Sequence, residues 1–326
     1  MNPPSLCPIG VGWPARALLA LLISLLSIPF SPAASAAEFD YRLAPRRIAD
    51  GVYVLIGRTE DFSLANGGNI VNTGFVVGTQ GVVAIDTGSS RRYGEQMRAA
   101  IARITPLPVV LVINTHHHPD HFLGNQAFAA DTLAALPETI RAIEAEGPGF
   151  LDNMYRLNGD WMRATEVVVP RRALAAGRIN AGGRELELIA LGGHTVADLV
   201  VLDHASGTLF TADLVFNGRA PTTPHADITQ WLQALDRLEQ ISFRQLVPGH
   251  GEVAADTAPI ADTRRYLRWL AQTIRDGAEQ GLDMTEMLAL PVPATHAELA
   301  EVASEYRRSI THLYPAAERA ALGVPR

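Results

Sequence analysis

The sequence of 326 residues contains a single cysteine, Cys7. It lies upstream of an apolar run from Ala17 to Ile28, so it cannot be a lipid-modified residue at a cleavage site. If a leader of residues 1–36 is removed, the mature chain holds no cysteine at all. That absence excludes disulfides and thiolate metal ligands, so any metal ion must be bound by His, Asp or Glu.

Long hydrophobic runs are also absent beyond the first 36 residues. Arg16 is the only charge in that leader, its apolar run is short, and Ala34-Ser35-Ala36 offers small residues for cleavage. This pattern is typical of a secretory signal peptide. The run is too short for a comfortable membrane span, which needs about 20 apolar residues, although an uncleaved anchor is the alternative. We therefore expect a periplasmic protein with no stable membrane span.

An excess of basic charge is missing as well. Without Arg16 the chain has 26 basic and 34 acidic residues, a net charge of −8. Phosphate backbones attract basic surfaces, so nucleic acid is not an expected partner. With 48% hydrophobic residues the chain can bury a large core, and its motifs form one continuous set, which favours a single domain over residues 37–326.

The feature that dominates the sequence is an apolar run that ends in histidines. Val109–Ile113 reads as a strand buried on both faces. His116 and His118, two residues apart, can direct both rings at one ion, and Asp120 and His121 are offset enough to serve a second ion. A histidine-rich surface loop is the structural alternative.

Three later motifs argue against that alternative. His194 in Gly-Gly-His-Thr, Asp213 in Thr-Ala-Asp-Leu and His250 in Pro-Gly-His-Gly each end an apolar segment. A sheet delivers side chains at such positions to a common rim. The strands fall into two groups with helices in each, which predicts an α/β fold of two packed sheets covered by helices.

Together these residues resemble the ligand set of the metallo-β-lactamase superfamily, in its order and approximate spacing. The resemblance implies a four-layer αββα sandwich with C-terminal helices from about residue 253. It also implies two Zn²⁺ per chain. The implied ligands are His116, His118 and His194 for the first ion, Asp120, His121 and His250 for the second, and Asp213 for both.

The expected chemistry is hydrolysis of a small-molecule ester, thioester or lactam. Two ions can share a hydroxide that attacks a carbonyl carbon, and Asp120 would orient it as the catalytic residue. A carboxylate at Asp213, where classical lactam-cleaving members have Cys or Ser, resembles the glyoxalase II type of site. Antibiotic hydrolysis is therefore a minor reading.

Further segments suggest a subgroup. Gly51–Val54, Asn66–Asn69, Asn72–Phe75 and Ala135–Thr139, with the signal peptide, look like the exported SoxH-like group, also called quinoprotein relay system zinc metallohydrolases. The similarity implies association with a periplasmic quinoprotein dehydrogenase. Two alternatives remain: an iron-dependent oxidoreductase of the same fold, and a non-catalytic maturation or binding partner of a quinoprotein.

Expectations for the surroundings of the site follow from local pattern and resemblance. Asp86 is expected to support the histidine loop by hydrogen bonding, with a simple turn role as its competitor. The segment Arg58–Asn69 is expected to be a hairpin loop over the substrate, or an ordinary glycine turn. His225 could face substrate, His117 is expected to form an outer hydrogen bond, and Glu146 is expected on a solvated helix face.

Two local predictions concern secondary structure. Glu166–Val169 is rich in valine and is predicted as a strand. A helix is predicted from Phe122 to Phe128, with Asp120 and His121 at its N-terminus, where the helix dipole would favour an ionised carboxylate.

Overall fold

The computed structural model describes Gly10 and residues 39–323. The predicted signal peptide and Cys7 fall outside the described residues. Within the described part of the chain, no helix is both long enough and apolar enough to cross a membrane.

Two sheets form the centre of the fold. The first has seven strands in sequential order, antiparallel from β1 to β4 and parallel from β4 to β7. Its strands are β1 (Arg46–Ala49), β2 (Val52–Leu55), β3 (Thr73–Val77), β4 (Val82–Ile85), β5 (Val109–Ile113), β6 (Leu133–Ala135) and β7 (Arg172–Ala173). The second has five, in the order β12-β11-β10-β9-β8, with β11 and β12 parallel. Its strands are β8 (Gly177–Ala181), β9 (Arg184–Leu191), β10 (Asp198–Asp203), β11 (Thr208–Phe216) and β12 (Gln245–His250).

Seven α-helices accompany these sheets in the described residues. They are α1 (Arg91–Ile104), α2 (Pro119–Phe122), α3 (Pro137–Asn158), α4 (Ile228–Glu239), α5 (Ala258–Gln280), α6 (Met284–Ala289) and α7 (Val302–Ala321). The Ser90 side chain caps α1 by accepting from the Tyr93 N–H. Tyr93, Met97 and Ile101 then recur at helical spacing and are buried.

Apolar side chains fill three layers between these elements. Between the sheets, Val83 and Leu111 of the first pack with Leu188 and Val201 of the second. The outer face of the first sheet packs against α1, and the outer face of the second packs against α4, α5 and α7. The predicted four-layer αββα sandwich is confirmed, with its C-terminal helices beginning at Ala258.

Two local predictions were wrong. Residues 166–169 form no strand; Val167 and Val169 pack beside the Phe122 cluster, and β7 pairs with β6 instead. The helix predicted from Phe122 instead ends there: α2 begins at Pro119, whose preset φ suits the first helical position, and a separate 3₁₀ turn follows at Asn125–Ala127. Asp120 and His121 therefore lie inside a single helical turn.

Candidate metal centre

The segment of residues 114–121, here called the histidine loop, follows β5, includes the first three residues of α2 and is buried. Asp86, just after β4, anchors it. Its Oδ1 accepts from the Thr115 N–H at 2.8 Å, and its Oδ2 accepts from the Thr115 hydroxyl at 2.8 Å and from His121 Nδ1 at 2.8 Å. Because His121 Nδ1 donates to Asp86, its Nε2 is left to face the centre. The supporting role predicted for Asp86 is confirmed.

The structure brings His116, His118, His194 and Asp213 together, with one candidate ligand atom from each lying within 4.8 Å of the others. His194 Nε2 lies 2.9 Å from His118 Nδ1 and 3.4 Å from Asp213 Oδ2. His116 Nε2 lies 4.0 Å from the same carboxylate oxygen and has no hydrogen-bond partner among the described residues, although it is buried. A buried ring nitrogen without a hydrogen-bond partner is what a metal-binding site provides for a cation.

A second cluster contains Asp120, His121 and His250. His250 Nδ1 donates to the Ile70 carbonyl at 2.8 Å, which leaves its Nε2 3.2 Å from Asp213 Oδ2 and 3.7 Å from Asp120 Oδ2. His121 Nε2 lies 3.1 Å from Asp213 Oδ1. Asp213 therefore reaches both clusters, and every residue predicted as a ligand is part of one or both.

Backbone geometry at Gly249 keeps Asp213 in place. A Cβ at that position would lie 1.9 Å from Asp213 Oδ1. A side chain of any size would occupy the space of the carboxylate, so the glycine in Pro-Gly-His-Gly is required for the close approach of β12 to β11.

Protonation differs between the two clusters. Burial lowers the pKa values of His116 and His118 well below the usual range, and it lowers that of His194 to about 3. These rings are therefore neutral at pH 7, which is the form that binds a metal ion. The histidines of the first cluster can therefore bind a metal ion without first releasing a proton.

The second cluster is governed by its carboxylates. Burial alone would lower the pKa of His121, but Asp213, Asp86 and Asp120 together raise it well above its usual value. Burial would likewise raise the pKa of Asp213, yet His250 and His121 hold it well below the usual range. For Asp120 burial dominates and raises the pKa, so the single turn of α2 does not give the ionised form the advantage predicted for it. A divalent ion would replace the proton of His121.

A chain of polar contacts runs outward from His118. Its Nε2 lies 2.9 Å from His225 Nδ1, and His225 Nε2 lies 3.3 Å from Glu146 Oε2. Glu146 on α3 is exposed, as expected, but its side chain also faces the histidines, a contact that the sequence did not predict. Such outer contacts fix the orientation and tautomer of a ligating ring.

The expectation for His117 was also wrong. Neither of its ring nitrogens has a hydrogen-bond partner among the described residues, and Glu146 Oε1 lies 3.8 Å from Nε2. Burial lowers the pKa of His117 to about 4, so the ring packs as a neutral group beside Phe150 and His225.

A cavity of about 390 Å³ opens over both clusters, and His118, Asp120, Asp213 and His250 lie along it. Phe62, from the loop between β2 and β3, lines the cavity and also packs beside the Phe122 cluster, so that loop reaches the site, and its closing over substrate stays a prediction. His225 lines it too.

Some residues of the site were missed by sequence reasoning. Asp198 Oδ2 accepts from the N–H groups of His194 and Thr195 at 3.1 and 3.0 Å, which fixes the turn that presents His194. The Asn72 amide donates to the carbonyls of Pro248 and Gly251 and holds the loop of His250. The short spacing from His194 to Asp198 was a usable local signal, whereas the Asn72 contacts span more than 170 residues.

Comparison with known proteins adds a family to this geometry. A model of the metallo-beta-lactamase superfamily matches residues 66–250, which is more than half of the chain and contains all seven predicted ligands. The chain therefore belongs to the metallo-β-lactamase superfamily.

Relatives and solved structures agree with this assignment. The chain is 27% identical over 238 residues to the acyl-coenzyme A thioesterase MBLAC2 of Bos taurus, covering 64% of this chain and 80% of that protein. It is 27% identical over 139 residues to a hydroxyacylglutathione hydrolase of Cyanothece sp., covering 41% and 46%. A metallo-beta-lactamase from Pontibacter korlensis shares the fold, with a TM-score of 0.54 and 22% identity over 69% of this chain and 99% of that one. The named relatives are hydrolases.

Proposed function

We propose that this protein is a periplasmic dinuclear zinc hydrolase that cleaves a thioester or ester. The observation that carries the proposal is the position of Asp213, whose carboxylate lies 3.4 Å from His194 of one cluster and 3.1 Å from His121 of the other. One carboxylate between two sets of imidazoles suits a pair of ions that share a ligand. When bound, two such ions lower the pKa of water and polarise a carbonyl.

The side chains of the protein have separate roles in this proposal. His116, His118 and His194 would hold the first ion, and Asp120, His121 and His250 the second. Asp120 lies along the cavity, so its carboxylate can also accept a proton from water and orient it towards the substrate. Asp86 and the Ile70 carbonyl fix the tautomers of His121 and His250.

Nitrogen and carboxylate ligands suit both zinc and iron. We propose zinc because the proposed reaction is a hydrolysis and needs no redox-active ion. An iron-dependent oxidoreductase remains the alternative, and it would reveal itself by bound iron and oxygen uptake. Zinc-bound protein without oxygen uptake would dismiss it.

Thioester or ester cleavage is preferred to lactam cleavage on two grounds. Asp213 supplies a carboxylate where, by the resemblance above, classical lactam-cleaving enzymes have Cys or Ser. The similarity to a named thioesterase extends over 80% of that protein, whereas the likeness to solved β-lactamases concerns the fold. Lactam hydrolysis is the second candidate activity.

The test is turnover of a panel of thioesters, esters and lactams by the zinc-loaded protein. Asp120→Ala and His194→Ala should each abolish hydrolysis while the far-UV circular dichroism spectrum stays native. Normal turnover by either variant would contradict the assignment of these residues.

Location and partner are parts of the same proposal. The signal-peptide pattern of residues 1–36 supports export, and fractionation of cells that express the full chain should recover a shortened protein in the periplasm. The SoxH-like resemblance supports a role beside a quinoprotein dehydrogenase. Co-purification with such a dehydrogenase, combined with no turnover of any panel substrate, would favour a maturation or binding role instead.

A further inference from the structure

One part of the cavity wall is apolar. Phe62 comes from the β2–β3 loop, Phe150 and Leu157 from α3, and Pro224 from the segment after β11. The ring centroid of Phe150 lies 6.1 Å from that of His118, so the apolar surface begins directly beside the metal centre. Covering such a wall with an apolar group removes both surfaces from water.

Both arginines along the wall are already paired. Arg219 Nη2 lies 3.0 Å from Glu305 Oε1, and both side chains are buried. Arg308 lies 2.8 Å from Glu305 Oε1 and 2.6 Å from Asp61 Oδ2. Two guanidinium groups therefore face two carboxylates, and this set carries no net charge.

The pairing limits what the cavity can hold. A substrate anion beside either arginine would compete with Glu305, which both guanidinium groups contact, and would weaken ion pairs to a buried carboxylate. Among the described residues of the wall, the remaining basic side chains are His225, which faces Glu146, and the exposed His312. The described wall therefore offers no lysine, and each of its two arginines already has a carboxylate partner.

We propose that the cavity selects a neutral substrate with an apolar acyl chain next to the scissile carbonyl. The carbonyl lies at the candidate ligands, the chain lies against Phe62, Phe150 and Leu157, and any charged part of the leaving group stays outside. This inference names the substrate class of the hydrolase proposed above and rests on that function.

The first experiment is a series of 4-nitrophenyl esters with acyl chains of two, four and six carbons, offered to the zinc-loaded mature protein. The expected result is a rise in kcat/KM of roughly fourfold for each added methylene. A six-carbon chain that ends in a carboxylate should react at least tenfold more slowly than its methyl-terminated counterpart.

Variants on α3 show whether the wall is responsible. Phe150→Ala should flatten the chain-length series, and Leu157→Ala, at a partly exposed position, should do so with little risk to folding. Tyr155→Ala is the matched control, because Tyr155 lies on the same helix, is 41% exposed and does not line the cavity. The control should reproduce the wild-type series, and zinc content should be unchanged in all three variants.

The outcomes separate the two claims. A flat series, or a preference for the carboxylate-terminated ester, would overturn the inference while leaving the hydrolase intact. If no ester or thioester reacts, the proposed function fails, and binding of butyrate and hexanoate by calorimetry then decides the inference. Tighter binding of hexanoate, lost in Leu157→Ala, supports the apolar wall; equal binding of the two acids overturns it.

Discussion

Replacement of Asp86 by Asn should remove one metal ion while leaving the fold in place. Asp86 has a φ of 57°, a left-handed conformation that Asn adopts readily, so the backbone should not change. The amide oxygen can still accept from the Thr115 N–H, as Asp86 Oδ1 does now. The amide nitrogen then faces His121 Nδ1, where Asp86 Oδ2 accepts a proton.

The Asp86→Asn substitution changes which ring nitrogen of His121 carries the proton. Facing an N–H₂ group, Nδ1 must accept, so the proton of the neutral ring moves to Nε2, the atom that points at Asp213. A protonated nitrogen cannot bind a metal ion. The reverse orientation of the amide would set its N–H₂ group against the Thr115 N–H, so rotating the side chain does not relieve the conflict.

The expected magnitudes distinguish this variant from Asp86→Ala. Loss of a hydrogen bond to a metal-binding side chain typically weakens metal binding about 10–100-fold. Because Asp86→Asn also forces the wrong tautomer of His121, we expect the affinity for the second ion to fall by about 100-fold or more. Asp86→Ala leaves the buried Thr115 N–H without its partner and His121 Nδ1–H with only the long 3.4 Å contact to the Thr115 hydroxyl. At roughly 1–3 kcal/mol for each, that variant should lose about 2–6 kcal/mol of unfolding free energy.

The assay is zinc titration of the metal-free protein against a chromophoric chelator, together with urea unfolding. We expect Asp86→Asn to bind one zinc ion with nearly wild-type affinity and the second far more weakly. If Asp86→Asn binds two ions as tightly as the wild type, the role assigned to Asp86 and the tautomer of His121 are wrong.

Three further predictions concern the same centre. His225→Ala removes the 2.9 Å contact to His118 Nε2 and should weaken binding of the first ion about 10–100-fold, measured by competition with a chelator. Gly249→Ala places a Cβ 1.9 Å from Asp213 Oδ1 and should eliminate bound zinc, measured by elemental analysis of folded protein. Since the carboxylates raise the pKa of His121, a proton competes with the second ion, so affinity at that site should increase as the pH rises above 6.5. Calorimetry in buffers of different ionisation enthalpy should show proton release at this site and little at the first, and an equal release at both would contradict the assignment.

The positions of the candidate ligands were predictable because each lies at the end of an apolar segment. Val109–Ile113 becomes β5, and the histidine loop follows it directly, so local pattern located the first four candidate ligands and the family resemblance supplied the full set. Asp86 directly follows β4, but its supporting role was predicted from the family resemblance, since the local pattern equally suited a simple turn.

Other features depend on contacts that local pattern does not encode. Val167 and Val169 have the composition of a strand, but their partner is the Phe122 cluster rather than a neighbouring strand. The pair Asp61–Arg308 joins residues 247 positions apart, and its place on the cavity wall exists only after α7 has packed. Glu146 lies on an exposed helix face as expected, but its contact with His225 exists only in the folded chain.

The most direct test of the central claim is the metal content of the mature protein, exported to the periplasm and purified without added metal. Mass spectrometry under native conditions should show two zinc ions per chain, and Asp213→Ala should reduce the occupancy of both sites, since Asp213 lies within 3.4 Å of ligands in each cluster. Iron in place of zinc, or a wild-type chain with no more than one ion, would contradict a dinuclear zinc hydrolase.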